Sequence, residues 1–327
     1  MAQLSRFLLR RVLVFPLALL LANFFGFAYA HLARAAQAAR NPYFTQGTSG
    51  SLLDAYGGYL AGMAHLDFGQ MPNGVSVPAA LAATGAASLG LLALALVGSV
   101  ALGLVLGLGS TRVSPPGVAG WLQALSTVGL AMPSFYLGSL LILASVAVAL
   151  SGVGRLFPTQ GFGWDSHLVY PLVSLMLRPT VQIAHITATL LSEQLREQYV
   201  LAARSFGHPW RAIRWRLALR NIYAAVTLSV AGSFRLLLGE LIVVEWLFNW
   251  PGIGRLFAVT LIPNLSSSAG GSVAPGYLNP PLVAAILTIS TALFLLSDFG
   301  ASVVARGADP RLLAADSDTL HKAQPTA

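Results

Sequence analysis

Six runs of apolar residues set the pattern of this chain. They occupy residues 12–30, 88–108, 121–150, 168–191, 222–247 and 281–304, and polar or Gly/Pro-rich segments separate them. A helix of about 20 mostly apolar residues crosses the roughly 30 Å hydrocarbon core of a bilayer. The pattern therefore predicts an all-α integral membrane protein with about six transmembrane helices. The third run is long enough to tilt or bend, and Met132-Pro133 supplies a break. The fourth is the least apolar, with Pro171, Arg178, Pro179 and His185. It is kept as a span because removing it would put the N-terminal arginines and the Arg-rich segment 193–221 on opposite sides.

Composition agrees. Of 327 residues, 56% are hydrophobic and 9% charged, against about 25% charged in a soluble domain. The formal charge of +8 follows the spans. Arg6, Arg10, Arg11, Arg112, the segment 193–221, Arg306, Arg311 and Lys322 fall on one side, and Arg34, Arg40, Arg155 and Arg255 on the other. By the positive-inside rule both termini are expected in the cytoplasm, and the charge calls for no nucleic-acid partner. The first run begins with arginines and ends Ala-Tyr-Ala like a signal peptide. It is longer than a usual signal core and is read as an uncleaved anchor. The expected organisation is an anchor at 1–31, an extracytoplasmic region at 32–81, a transmembrane core at 82–305 and a cytoplasmic tail at 306–327.

The segment 193–221 holds six arginines between two apolar runs. It reads as two short helices. The first covers 197–206 and ends at Gly207; the second starts with Pro209 in its first turn. Ala203 and Gly207, four apart, give the first helix an almost bare face. Arg211 with Arg214, and Arg216 with Arg220, are spaced to stack. Leu201-Ala202-Ala203-x-x-x-Gly207, with Leu217-Ala218-Leu219-Arg220-Asn221, resembles the EAA loop of bacterial ABC-importer permeases, in the version found in the dipeptide/oligopeptide/nickel group, which Tyr199-Val200 and Ala203-Arg204 also fit. The resemblance implies the type-1 importer permease fold in a bacterial cytoplasmic (inner) membrane. It makes 193–221 the coupling loop, with Tyr199, Ala202, Ala203, Arg204, Gly207 and Arg211 meeting a cytoplasmic ATPase. It also implies a second, homologous permease, two ATPase subunits and an extracytoplasmic binding protein as partners. The pore would lie between the two permeases, lined by the third to sixth spans.

Residues 243–256, Val-Val-Glu-Trp-Leu-Phe-Asn-Trp-Pro-Gly-Ile-Gly-Arg-Leu, are similar to that family's VVVETVFSWPGLGRL element. Two readings of Glu245 stand side by side: a carboxylate near the entry of a cationic or amino-terminal solute group, or one that hydrogen-bonds the following loop. Pro251-Gly252 stops the helix, and Trp250 suits the membrane interface. Arg235 and Glu240 stand where the family usually has small or apolar residues. Ionisable groups inside a membrane face a cavity or a partner by default. Five residues apart, these two point roughly 140° away from each other, so Glu240 is assigned Arg178 of the fourth span as partner. Arg235, Glu240, Glu245, Trp250, Pro251 and Gly252 are thus the candidates for a translocation path or gate. Three further elements resemble the family: Tyr59 to Gly69, the turn Phe157 to Gly163, and Asp309-Pro310-Arg311.

The chemistry that the chain lacks narrows the reading. It has no cysteine, and Lys322 is its one lysine, so a GxxxxGK[ST] phosphate loop cannot be built. ATP and Mg are expected on partner subunits, with no cofactor here. The six histidines are scattered without metal-ligand spacing. A transport subunit of an ATP-driven importer, for peptides or a related small solute, is the leading expectation. An ion-coupled carrier using Glu240, Glu245 and Asp298, and a membrane scaffold that moves nothing, are the alternatives.

Overall fold

The computed structural model describes residues 2–40, 50–71, 73–152, 154, 156–262 and 277–308, with side chains from residue 14 to residue 303. Among these, eleven α-helices carry the fold: α1 (Ala2–Arg40), α2 (Leu52–Ala64), α3 (Val77–Ser110), α4 (Gly120–Ala131), α5 (Ser134–Leu150), α6 (Val169–Gln194), α7 (Gln198–Ser205), α8 (Trp210–Ala212), α9 (Leu219–Leu247), α10 (Ile253–Leu261) and α11 (Pro280–Ala308). A short antiparallel hairpin, β1 (Thr111–Val113) and β2 (Pro116–Val118), follows α3.

Among the described residues, four helical stretches are long and apolar enough to cross a membrane: Val14–Arg40, Val77–Ser110, Trp210–Leu247 and Pro280–Val303. The pair α4 and α5 would make a fifth if taken as one span; it bends by 99° at Met132-Pro133. The remaining sequence candidate is α6, unbroken for 26 residues despite Pro179 inside it, and so about 39 Å long at about 1.5 Å per residue. Its low apolarity has a physical cause. Thirteen of its residues are buried, among them Ser174, Thr180, Thr187 and Ser192. A helix that faces protein need not be as apolar as one that faces lipid.

The chain divides into two compact units. One comprises Met1–Gly90, Gln160–Phe162 and Leu241–Leu295. Its core is built on Val77, Leu282 and Ile286, with Leu81, Ile253, Leu256 and Phe257 packed against them. Gly26 lets α1 approach α11: a Cβ there would lie 2.9 Å from the Cα of Ala284. Asn23 of α1 donates to Thr288 Oγ1 at 3.0 Å and accepts from the Tyr56 hydroxyl at 3.2 Å. This ties the 13-residue α2, which has no buried residue of its own, to α1 and α11. Burial pushes the Tyr56 phenol above its ordinary pKa.

The other unit comprises Leu91–Thr159, Gly163–Glu240 and Leu296–Ala327, and α6 runs through its centre. Gly103 and Gly107 of α3 are where α3 meets α6. A Cβ at Gly103 would lie 2.8 Å from Ile183 Cβ, and one at Gly107 2.8 Å from the Ala184 carbonyl oxygen. The Gly-x-x-x-Gly spacing thus serves close helix packing, as it does in lipid-embedded proteins generally.

The structure corrects one sequence expectation here. The second half of the Arg-rich segment is not a separate short helix. Pro209 lies just before α8 in extended conformation. From Trp210 the chain runs through a π-helical stretch, Ile213–Ala218, straight into α9. The wider i→i+5 bonding of that stretch also alters the arginine spacing derived from a regular helix.

Candidate functional site

Three charged features could carry function. The first is the segment 193–221, in the unit centred on α6. Its inner side is a closed core: Val200 and Ala203 of α7 pack with Leu191, Leu195, Ile213, Ala218, Ile222 and Val226. Gln194 Oε1 accepts from the Tyr199 hydroxyl at 3.1 Å and from Asn221 Nδ2 at 3.0 Å, closing the two ends of the segment on each other. Burial raises the Tyr199 phenol above its usual pKa. Helix α7 ends in a Schellman turn. His208 N–H donates to the Ala203 carbonyl and Gly207 N–H to the Arg204 carbonyl, with Gly207 at φ +81°. The Arg204 guanidinium lies 4.7 Å from the centre of the Trp210 ring and donates to the His208 carbonyl at 3.3 Å.

The bare face expected between Ala203 and Gly207 is therefore not open. Ala203 is buried in the chain's own core. The outward surface is instead Leu201, Ala202, Ser205, Phe206, Gly207, His208 and Arg211, all exposed, with Leu201 and Phe206 at 71% and 81%. Arg196 donates to the Pro116 carbonyl at 3.0 Å, fixing the β1–β2 hairpin beside this surface.

The second feature is Glu245, near the end of α9 and in the other unit. The helix closes at Asn249, which takes φ +56°, and the chain turns into α10. Glu245 Oε2 accepts from Gly254 N–H at 2.7 Å and Arg255 N–H at 3.2 Å. Oε1 accepts from the Ser88 hydroxyl at 2.6 Å, and Ser88 Oγ in turn accepts from Ile253 N–H at 2.8 Å. One carboxylate and one serine thus satisfy three of the four N–H groups that a helix start leaves unpaired, where a negative charge is also favoured by the helix dipole. The glycines follow from this geometry. A Cβ at Gly252 would overlap the Glu245 carboxylate, and one at Gly254 would lie 2.6 Å from Ile242 Cα. Glu245 is fully buried, and its oxygens are turned to its own chain rather than toward an approaching solute.

Trp250 is also fully buried. Its ring N–H donates to the Ala87 carbonyl at 3.1 Å, and Phe162 meets it edge-on at 4.8 Å. Three residues past the end of α9, Trp250 has its indole turned inward against its own chain, while Trp246 on α9 is exposed. Gly252 is buried and Pro251 half-buried. Ser88 is the partner that sequence reading missed. The turn expected at 157–163 joins the same closed region through Gly161 N–H, which donates to the Phe248 carbonyl at 3.0 Å.

The third feature is the pair of ionisable residues further back on α9. Arg178 Nη1 donates to Glu240 Oε1 at 2.8 Å, the partnership assigned from the sequence. Arg235 instead meets Asp298 of α11 at 3.3 Å. The two pairs lie on different flanks of α9, as five-residue spacing requires. Their exposure differs: the side chains of Arg178 and Glu240 are 34% and 15% exposed, those of Arg235 and Asp298 45% and 48%. Among the described residues no group of three or more His, Asp or Glu side chains is placed to hold a metal ion. Asp309-Pro310-Arg311 lies outside the described residues.

Comparison with known proteins meets this geometry over the same residues. The family model of the binding-protein-dependent transport system inner membrane component matches residues 99–310, more than half of the chain. The dipeptide transport system permease protein of Lactococcus lactis subsp. cremoris (strain MG1363) is 30% identical over 164 residues, 50% of this chain and 52% of that protein. The glutathione transport system permease protein of Pectobacterium atrosepticum is 32% identical over 162 residues, 48% and 51%. The oligopeptide transport system permease protein of Bacillus subtilis (strain 168) is 25% identical over 197 residues, 57% and 56%. The chain spans about half the length of the curated relatives it matches. With its apolar helices it is a multi-pass membrane protein, and it belongs to the family of inner membrane components of binding-protein-dependent transport systems.

Proposed function

We propose that the chain is the transmembrane permease subunit of an ATP-driven importer that takes up peptides or a related small solute from an extracytoplasmic binding protein. The permease relatives named for dipeptide, glutathione and oligopeptide transport support that solute class. A second, homologous permease would complete the pathway. Two cytoplasmic ATPase subunits would hold the ATP and Mg, since this chain has no lysine placed for a phosphate loop.

The observation that carries the reading is the two-faced build of the segment 193–221. Its inner face is locked by Val200, Ala203, Ile213 and Ile222, while Leu201 and Phe206 are left at 71% and 81% exposure. Large apolar side chains held rigidly outward on a polar, membrane-flanking elbow fit a protein partner. A rigid elbow also transmits displacement to α6 and α9, which it joins directly. ATP binding can bias the permease only through contacts that differ between its states, and this is the surface on which such contacts would fall. The bond from Arg196 to Pro116 puts the Arg112 hairpin on the side of the arginine-rich elbow, in keeping with the positive-inside assignment and with cytoplasmic termini in a bacterial inner membrane.

The test is Phe206→Asp in the complete importer, with uptake and ATP hydrolysis read in the same vesicles. Phe206 contributes nothing to the inner core, so insertion and assembly are expected to persist. Uptake is expected to fall about tenfold or more, the size of effect when an interface anchor is lost. Normal uptake by this variant would exclude the elbow as the docking surface.

A further inference from the structure

A cavity of about 370 Å³ opens among α1, α2, α3 and α11, inside one of the two compact units. Tyr59 and Met63 of α2, Leu81 of α3 and Ile289 of α11 line it, with Phe68 from the loop between α2 and α3, and Asn23 and Thr288 put an amide and a hydroxyl in its wall. Its depth can be read along two helices. Thr288 is eight positions after Pro280, about 12 Å along α11, and fifteen positions before Val303, about 22 Å from that end of the span. Asn23 is seven positions before Ala30, where the first apolar run ends, so about 10 Å along α1. The two residues are bonded to each other at 3.0 Å, and the two distances agree. The hydrocarbon core is roughly 30 Å thick, about 15 Å per leaflet. The cavity therefore lies within the apolar layer, in the leaflet away from the N-terminus, which is the outer one in the orientation proposed above.

The polar atoms of the wall are already answered by the chain. Asn23 Nδ2 donates to Thr288 Oγ1, Asn23 Oδ1 accepts from the Tyr56 hydroxyl at 3.2 Å, and Thr288 Oγ1 donates to the Ala284 carbonyl at 2.7 Å. Water occupies a cavity where it finds two to four polar partners, and a peptide would bring polar backbone groups with nothing to bond them. A void of this size is also rare in a protein interior. An apolar, flexible, chain-shaped molecule fits, and at this depth the surroundings are made of such molecules. Leu21 and Phe25 of α1 and Phe294 of α11 are exposed on the same helices, as lipid-facing side chains are, and Pro78 of the cavity wall is exposed with them.

We propose that this cavity takes one acyl chain of a phospholipid from that leaflet, and that the acyl chain completes the packing of α2. That helix has no buried residue of its own, and its Tyr59 and Met63 line the cavity. The hydrophobic effect does not draw the acyl chain in, since it moves from one apolar medium to another. What favours it is contact: cavity walls with no atoms opposite lose their dispersion attraction. The site thus exchanges with bulk lipid and selects for an acyl chain, not a headgroup.

The test uses the assembled complex in liposomes that contain a phosphatidylethanolamine with a diazirine in mid-chain. After illumination, label is expected on Tyr59, Phe68 or Leu81, beside the label that the exposed Phe25 takes up as an ordinary lipid-facing residue. Met63→Trp fills the cavity from α2, where no buried core depends on it. This variant is expected to lose most of the label at those three residues while Phe25 keeps its own. Ile289→Phe fills the same space from α11 and should give the same loss by an independent change. Met63→Ala leaves the space open and should keep the label. Equal labelling in the Met63→Trp and Met63→Ala variants would overturn the proposal, since the cavity residues would then meet bulk lipid only. Absence of label at the cavity in the unmodified complex would overturn it as well, since a partner subunit or another part of this chain would then occupy the space. Neither readout depends on which solute the importer carries.

Discussion

Glu245 and Glu240 are five residues apart on one helix, and their surroundings have little in common. Glu245 is fully buried, and its two oxygens accept three hydrogen bonds from its own chain: the Ser88 hydroxyl and the Gly254 and Arg255 amides. Among the described residues Glu240 is held by a single bond from Arg178, and its Oε2 is buried with no hydrogen-bond partner. A carboxylate at membrane depth needs its charge answered, and the way it is answered separates the roles. Fixed backbone donors at a helix start hold Glu245 where it is, so it works as a fastener for the turn between α9 and α10. A lone guanidinium on a flexible stem can be taken away and replaced, so Glu240 stays available for change. Residue type alone would have grouped both as candidates for a transport path.

The largest effect that this contrast predicts is at Glu245. Glu245→Ala leaves the Gly254 and Arg255 amides and the Ser88 hydroxyl without their acceptor, and each unpaired buried group costs about 1–3 kcal/mol. A loss of several kcal/mol is expected, seen as failure to purify an assembled complex or as a large drop in its thermal midpoint in detergent. Glu245→Gln keeps an acceptor oxygen but cannot answer every donor, and should fall in between. An alanine variant as stable as the parent, yet inactive in uptake, would break the contrast and return Glu245 to the transport path.

Much of this was legible in the chain and some was not. The apolar runs located the spans because lipid enforces length and apolarity on any helix it surrounds. They served least well for α6, whose partners are protein; there, sequence showed only that Arg178 and His185 were out of place for lipid. The helix from Gln198 to Ser205 was readable from Gly207, since a left-handed turn position favours glycine. That Ala203 faces inward was not readable: small residues suit a tight core as well as a docking face, and only Ile213 and Ile222 arriving from the far side decide it. The π-helical stretch 213–218 left no mark in residue type. The hydrogen bond between Ser88 and Glu245 spans 157 positions, and a lone serine in an Ala/Leu/Gly-rich helix announces nothing. That the Trp250 indole turns inward was likewise unreadable, because its partner, the Ala87 carbonyl, lies 163 positions away.

The Arg178–Glu240 pair gives a smaller effect and a sharper test of availability. Removing one partner of a buried ion pair is worth about 3–5 kcal/mol, but the side chains here are 34% and 15% exposed, so the effect should be nearer about 2 kcal/mol once solvent screening is allowed for. Arg178→Met is expected to lower stability by that amount because it strands Glu240. The double variant Arg178→Met/Glu240→Met is expected to recover most of it, giving a coupling of about 1 kcal/mol or more in a double-mutant cycle. Additive losses would mean that the two charges do not answer each other in the assembled protein, and that Glu240 has a second, stronger partner.

The smallest effect belongs to Ser88→Ala, and it tests which member of the fastener is central. The substitution removes the donor to Glu245 Oε1 and the acceptor of Ile253 N–H, yet it leaves the two backbone bonds to Oε2 in place. Neither group is stranded far from a substitute. The carboxylate keeps two donors, and the Ile253 amide stands at the start of α10 beside the same charge. About 1 kcal/mol is expected, the net worth of one ordinary hydrogen bond, or a shift of a few degrees in the thermal midpoint. Equal damage from Ser88→Ala and Glu245→Ala would mean that the serine, and not the charge, organises the turn. The separation drawn between the carboxylates of α9 would then rest on packing rather than on electrostatics.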